Sequence, residues 1–95
     1  MSARQLVADA TRPRLPKHIK LRFDETRAQW IVLAPERVLV LDETSHEVLK
    51  RCDGATSVAA IVADLATAFD APREVIGADV AALLQDMADK GYLQL

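Results

Sequence analysis

The chain has 95 residues, of which 51% are apolar and only 4% aromatic, with a formal net charge of −2. That length makes one domain with an aliphatic, Ala-rich core. Its composition excludes a disordered chain, and no apolar run approaches the ~18 residues that a membrane span needs.

The first 17 residues contain Pro13 and Pro16, show no sustained period, and read as a mobile or extended arm. Up to residue 20 the cations Arg4, Arg12, Arg14, Lys17 and Lys20 face only Asp9, so the arm is basic. It has no apolar stretch of the secretory kind. The sole cysteine, Cys52, allows no internal disulfide and suits a reducing cytoplasm. The body is acidic: Asp42, Glu43, Glu47, Asp53, Asp64, Asp70, Glu74, Asp79, Asp86 and Asp89 outnumber Lys50, Arg51 and Arg73 between residues 42 and 89. Two readings follow, a solvated tail on a solvated domain, or an arm that packs on a partner or a second copy.

From His18 to Asp24 the residues alternate strictly, with Ile19, Leu21 and Phe23 on one face, which predicts a half-buried strand. A turn over Glu25 to Ala28 leads to a second strand, Gln29 to Ala34. Its Trp30 and Val32 share one face, and Ile31 and Leu33 the other. Pro35 and Glu36 turn the chain into a third strand, Arg37 to Leu41. Apolar residues on both faces of strands two and three are more than one layer of helices requires. Either both sides are covered, or an apolar edge is offered to a partner.

The rest is helical. Asp42, Thr44 and Ser45 offer capping oxygens for a short helix from about Thr44 to Cys52, and Gly54 follows where positive φ is usual. Thr56 or Ser57 caps a second helix with Val58, Ile61, Val62, Leu65 and Phe69 on one stripe. Asp70 to Pro72 break it, Pro72 standing at a first helical position. A third helix carries Ile76, Val80, Leu83 and Met87, and ends at Gly91. Tyr92 to Leu95 then return as a short strand or pack down. The order β-β-β-α-α-α predicts an α+β, winged-helix-like domain over residues 18–95, a three-stranded antiparallel sheet followed by three helices.

Chemistry is scarce. His18, His46 and Cys52 match no zinc spacing, and the three glycines are isolated, so neither a metal site nor a phosphate loop is expected. Ser45 beside His46 reads as capping rather than a hydrolase pair, and Cys52 as a small core residue. A DNA-reading helix needs cations, whereas the third helix carries Glu74, Asp79, Asp86 and Asp89. What remains is capture of an extended peptide at the edge of strand three. The alternative is that Val38, Leu39, Val40 and Leu41 are simply core.

The string LRFDETRAQWIVLAPERVLVLDETSHEVLKRCDG, with DVAALLQDMADKGYL later, resembles the PqqD family of pyrroloquinoline quinone (PQQ) biosynthesis over residues 15–95. The resemblance implies a cytoplasmic peptide-recognition domain without a catalytic residue, cofactor or nucleic-acid partner. It implies binding of the precursor peptide PqqA and its presentation to PqqE, a radical S-adenosylmethionine enzyme that links a Glu and a Tyr side chain of the peptide. In such proteins the peptide adds beside strand three, against helix three. Placed on this chain, that gives Arg37, Val38, Leu39, Val40, Leu41 and Asp42 with Val75, Ile76, Asp79 and Leu83 as the peptide site. A quinone-binding or late-step enzyme of the same pathway is the alternative, with a DNA-binding regulator behind it. The open sheet edge and basic arm also suggest a homodimer.

Overall fold

The computed structural model describes residues 5–95, so Arg4 of the expected arm lies outside the described residues. Strands β1 (Lys20–Asp24), β2 (Gln29–Ala34) and β3 (Arg37–Val40) form an antiparallel sheet in the order β1-β2-β3. Helices α1 (Glu43–Leu49), α2 (Val58–Ala68) and α3 (Arg73–Asp89) follow. This is the architecture expected from the sequence, with small differences at the ends. β1 starts at Lys20 rather than His18, because Ile19 N–H bonds to Pro16 C=O in a turn. α1 is shorter than Thr44–Cys52, because bonds from Arg51 to Val48 C=O and from Cys52 to Leu49 C=O tighten its exit. Pro72 caps α3 with extended backbone instead of occupying its first turn.

Two of the three helix starts carry a side-chain cap. The Asp42 carboxylate accepts from Ser45 N–H at 2.7 Å, and the Ser57 hydroxyl from Ala60 N–H at 3.2 Å. α2 and α3 end alike. Beyond α2, Ala71 N–H reaches Ala66 C=O and Asp70 N–H reaches Thr67 C=O; beyond α3, Tyr92 N–H reaches Met87 C=O and Gly91 N–H reaches Ala88 C=O. The left-handed position of this motif holds Asp70 (φ 49°) in one case and Gly91 (φ 85°) in the other.

The core joins Val32 of β2 to Val48 and Leu49 of α1, Ile61 and Leu65 of α2, and Val80, Leu84 and Met87 of α3. Ile19, Leu41, Tyr92 and Leu93 close it, and Leu21 and Leu39 pack against it from the sheet. Arg51 ties α1 to α2, its Nε donating to Asp64 Oδ2 at 2.6 Å and its Nη1 to Glu47 C=O at 2.7 Å.

The described part of the arm lies along its own body. Ala59 N–H donates to Asp9 C=O, Val58 N–H to Thr11 C=O and Gly54 N–H to Pro13 C=O. Arg14 and Gln94 exchange a reciprocal pair of backbone bonds at 2.9 Å, so the C-terminal residues return as a bridge rather than a free tail. Gly54 is required here: its φ is +79°, and an added Cβ would lie 3.3 Å from the Arg14 side chain.

Candidate functional site

Among the described residues β3 is an edge strand, hydrogen-bonded to β2 alone. Leu41 N–H donates to Trp30 C=O at 2.9 Å, extending the β2–β3 register by one residue beyond Ile31↔Val40. Backbone groups in an antiparallel ladder alternate in direction. Arg37, Leu39 and Leu41 therefore bond inward to β2, while Val38 and Val40 turn their N–H and C=O groups to the open edge.

Side chains alternate the other way. Leu41 is buried in the core and Leu39 packs against it, so these two residues shape the inner face. Val38 and Val40 project from the outer face, each 49% exposed. The odd-numbered side chains of strand three thus face the core, as the core reading expects, and its even-numbered residues turn away from it.

Residues of α3 and of the segment that follows it approach the two ends of β3. At the start of β3, Arg37 Nη1 makes a long 3.5 Å contact with Tyr92 Oη, just beyond α3. Past the end of β3, Asp42 shares a cavity of about 310 Å³ with Ile76, Asp79, Val80 and Leu83 of α3. Thr44, Ser45 and Val48 of α1 and Leu65 and Phe69 of α2 complete its lining. The structure therefore gathers Asp42, Ile76, Asp79 and Leu83 into one place and puts Arg37 at the other end of the strand. Val75 lies outside the cavity and is 54% exposed, because it sits about 100° round the helix from Ile76.

Residues not singled out from the sequence also line the site. Phe69 caps α2 and stands 40% exposed beside the cavity. It reads as the last member of an apolar stripe, and only the break at Asp70 signals that the helix ends beneath it. Near the other side of Asp42, Trp30 stacks on His46 with centroids 4.1 Å apart and planes within 9°. Phe23 meets Trp30 edge-on at 5.4 Å.

Local hydrogen bonds and burial set the titratable groups around the site. Hydrogen bonds from Ser45 hold the Asp42 carboxyl below its usual range, so it stays ionised as a helix cap. Burial pushes the Cys52 thiol up to about 12, and its Sγ–H donates to Val48 C=O at 3.4 Å, which leaves no thiolate nucleophile. His46 has its pKa lowered, chiefly by burial. Among the described residues no group of three or more His, Cys, Asp or Glu is placed to hold a metal ion, and no helix is long and apolar enough to cross a membrane. Asp53 makes a turn of the Cys-Asp-Gly segment, accepting from the N–H groups of Ala55 and Thr56 at 2.9 and 2.7 Å.

Comparison with known proteins places this geometry. A family model described as "Coenzyme PQQ synthesis protein D (PqqD)" matches residues 29–93. A "PqqA binding protein" of Rhodopseudomonas palustris (strain BisB5) is 57% identical over 94 residues, covering 98% of this chain and 92% of that protein. The "Bifunctional coenzyme PQQ synthesis protein C/D" of Methylorubrum extorquens (strain AM1) is 42% identical over 82 residues, 86% of this chain and 22% of that longer protein. The solution structure of the PqqD truncation of Methylobacterium extorquens PqqCD, described as a functional, stand-alone recognition element for ribosomally synthesized and post-translationally modified peptides, superposes with a TM-score of 0.81 at 38% identity. That match covers 94% of this chain and 95% of the other. The crystal structure of PqqD from Xanthomonas campestris superposes with a TM-score of 0.60, also at 38% identity, over 94% of this chain and 99% of that one.

Proposed function

This chain belongs to the PqqD family, and from that premise we propose that it binds the precursor peptide PqqA as a fourth strand along β3 and presents it to PqqE. The observation that carries the reading is the open edge of β3, where Val38 and Val40 turn their backbone groups away from β2. Strand addition supplies backbone hydrogen bonds for affinity, and adjoining pockets select side chains. The cavity bounded by Asp42, Ile76, Asp79, Leu83 and Phe69 takes a large apolar side chain of the peptide. Asp79 at the same cavity fixes the peptide's register by a charge-assisted hydrogen bond.

The domain acts as a binding module and leaves the bond-forming step to the enzyme. The buried, protonated Cys52 and the stacked His46 supply no nucleophile and base pair of their own. Without peptide, the same edge pairs with a second copy of the chain.

Amide exchange during titration with synthetic PqqA tests the mode. A peptide strand antiparallel to residues 37–42 slows exchange at Val38 and Val40, while Leu39 and Leu41 already bond to β2 and change little. Saturation with peptide and no slowing at either valine rules the mode out.

A further inference from the structure

The two ends of β3 carry opposite charge. Past its C-terminal end, the cavity described above is lined by two carboxylates, Asp42 and Asp79, and by no cation among the described residues. At its N-terminal end a second cavity, of about 330 Å³, brings Arg37, Lys90 and His18 together with the single carboxylate of Glu36. Asp86 engages Lys90 at 3.0 Å, whereas Arg37 and Asp79 form no ion pair among the described residues. Arg37 is therefore the free cation of one end and Asp79 the free anion of the other.

Arg37 also lies on the face that meets the peptide. It pairs with Ala34, two residues from the core residue Val32, so it shares the inner face with Leu39 and Leu41. In an added strand, the residue directly opposite Arg37 turns to that face as well. In antiparallel order it follows, by four residues and roughly 13 Å, the residue opposite Leu41 at the acidic end. We infer that Arg37 is a specificity-determining residue of the peptide site: it pairs with an acidic side chain of the bound segment, four residues after the side chain that sits beside Asp79. Opposite charges directly across a ladder attract, and like charges repel. Entry in the parallel direction would bring the same acidic side chain to Asp79 and leave Arg37 unpaired, so the two ends together select the direction of the strand. This inference rests on the strand-addition reading above.

The test titrates wild type, Arg37→Glu and Asp79→Asn with synthetic PqqA and with peptides substituted at single positions. Arg37→Glu weakens binding of PqqA at least about fivefold at low salt, and the loss shrinks as salt screens the charges. One acidic residue of the peptide, changed to Lys, weakens binding to wild type and restores binding to Arg37→Glu. Glu placed four residues before that position weakens binding to wild type at least about fivefold, and Asp79→Asn removes most of this second loss. The inference is overturned if Arg37→Glu binds PqqA as wild type does, if no acidic position gives the exchange, or if the Glu-sensitive position follows the acidic one. Should Arg37→Glu fail to fold, Arg37→Gln takes its place: neutralising the same peptide residue then costs the variant nothing, and a loss as large as in wild type overturns the pairing. Wild type that fails to bind PqqA, or binds it with no slowing of exchange at Val38 and Val40, brings down the underlying reading instead, a result separable from all of these.

Discussion

Trp30 and His46 lie ring on ring, 4.1 Å between centroids, and this contact holds the end of β2 against the first helix. Burial lowers the His46 pKa from its ordinary 6.5, with Glu47 opposing and Lys50 and Arg51 adding to the fall. The neutral ring is therefore the form the fold prefers. The unfolded chain takes up the proton more readily, so this contribution is complete above pH 6.5 and is lost as pH falls below it. The carboxylates Asp24, Asp42, Glu47 and Asp53 are held down by hydrogen bonds, and their losses come only at still lower pH. Melting temperature should drop as pH falls below about 6.5, and His46→Gln should flatten that drop. A variant whose melting curve keeps the wild-type pH dependence would assign the step to another group.

The alternation along β3 separates two proline variants. Leu39→Pro removes a donor to β2 and should destabilise the sheet by about 3 kcal/mol or more. Val38→Pro removes only an outward donor, at an edge where proline is tolerated. It should leave the thermal unfolding near wild type and weaken PqqA binding at least tenfold. Equal damage to folding from both variants would contradict the assigned direction of the backbone groups.

At the cavity, Asp79→Ala should weaken peptide binding by about 1–2 kcal/mol if a charge-assisted hydrogen bond is lost. Phe69→Ala removes an aromatic surface that is already 40% exposed. Its effect should therefore appear in affinity more than in stability. Calorimetric titration checks both, and unchanged affinity for Asp79→Ala returns that carboxylate to the solvated face.

The two helix ends predict opposite signs. Asp70→Gly relieves a left-handed non-glycine residue and should stabilise by about 0.5–1 kcal/mol. Gly91→Ala imposes that conformation on a β-carbon and should cost about 1 kcal/mol, even though nothing lies within 4 Å of the added atom. Denaturant midpoints distinguish this from a packing effect, which would leave Gly91→Ala neutral.

The open edge should also show in self-association. Sedimentation at high concentration and low salt should find dimers that synthetic PqqA dissociates. A strict monomer under those conditions removes the second copy from the proposal, and a dimer indifferent to peptide moves it to another surface.

The elements legible in the sequence are those with local causes. Alternation marks β1 to β3, and Asp42, Ser57 and Gly91 mark helix ends through bonds spanning a few residues. The place of the arm was not legible, because its hold depends on Gly54 and Gln94, distant in sequence from Pro13 and Arg14. At the site, the run Arg37 to Leu41 reads as a strand, with the edge and core readings both open. It does not reveal which residues turn their backbone outward, since that parity is set by pairing with β2. Asp79 and Leu83 share a helix face that a wheel predicts. Phe69 joins them only because α2 stops beside α3, a tertiary fact absent from any window of sequence.

The reciprocal bonds between Arg14 and Gln94 bring the two ends of the described chain together. Gln85, which accepts from Val7 N–H at 2.9 Å, lies two residues beyond Leu83 and so roughly 200° round α3 from it. Val7 is thus held on the flank of α3 turned away from Leu83, while Arg14 and Gln94 meet past the C-terminal end of that helix. Such a layout holds a residue near each end of the described chain in one place, where a covalent fusion adds little strain. The relative from Methylorubrum extorquens, in which the matching segment forms only 22% of a bifunctional chain, is one outcome that this geometry permits.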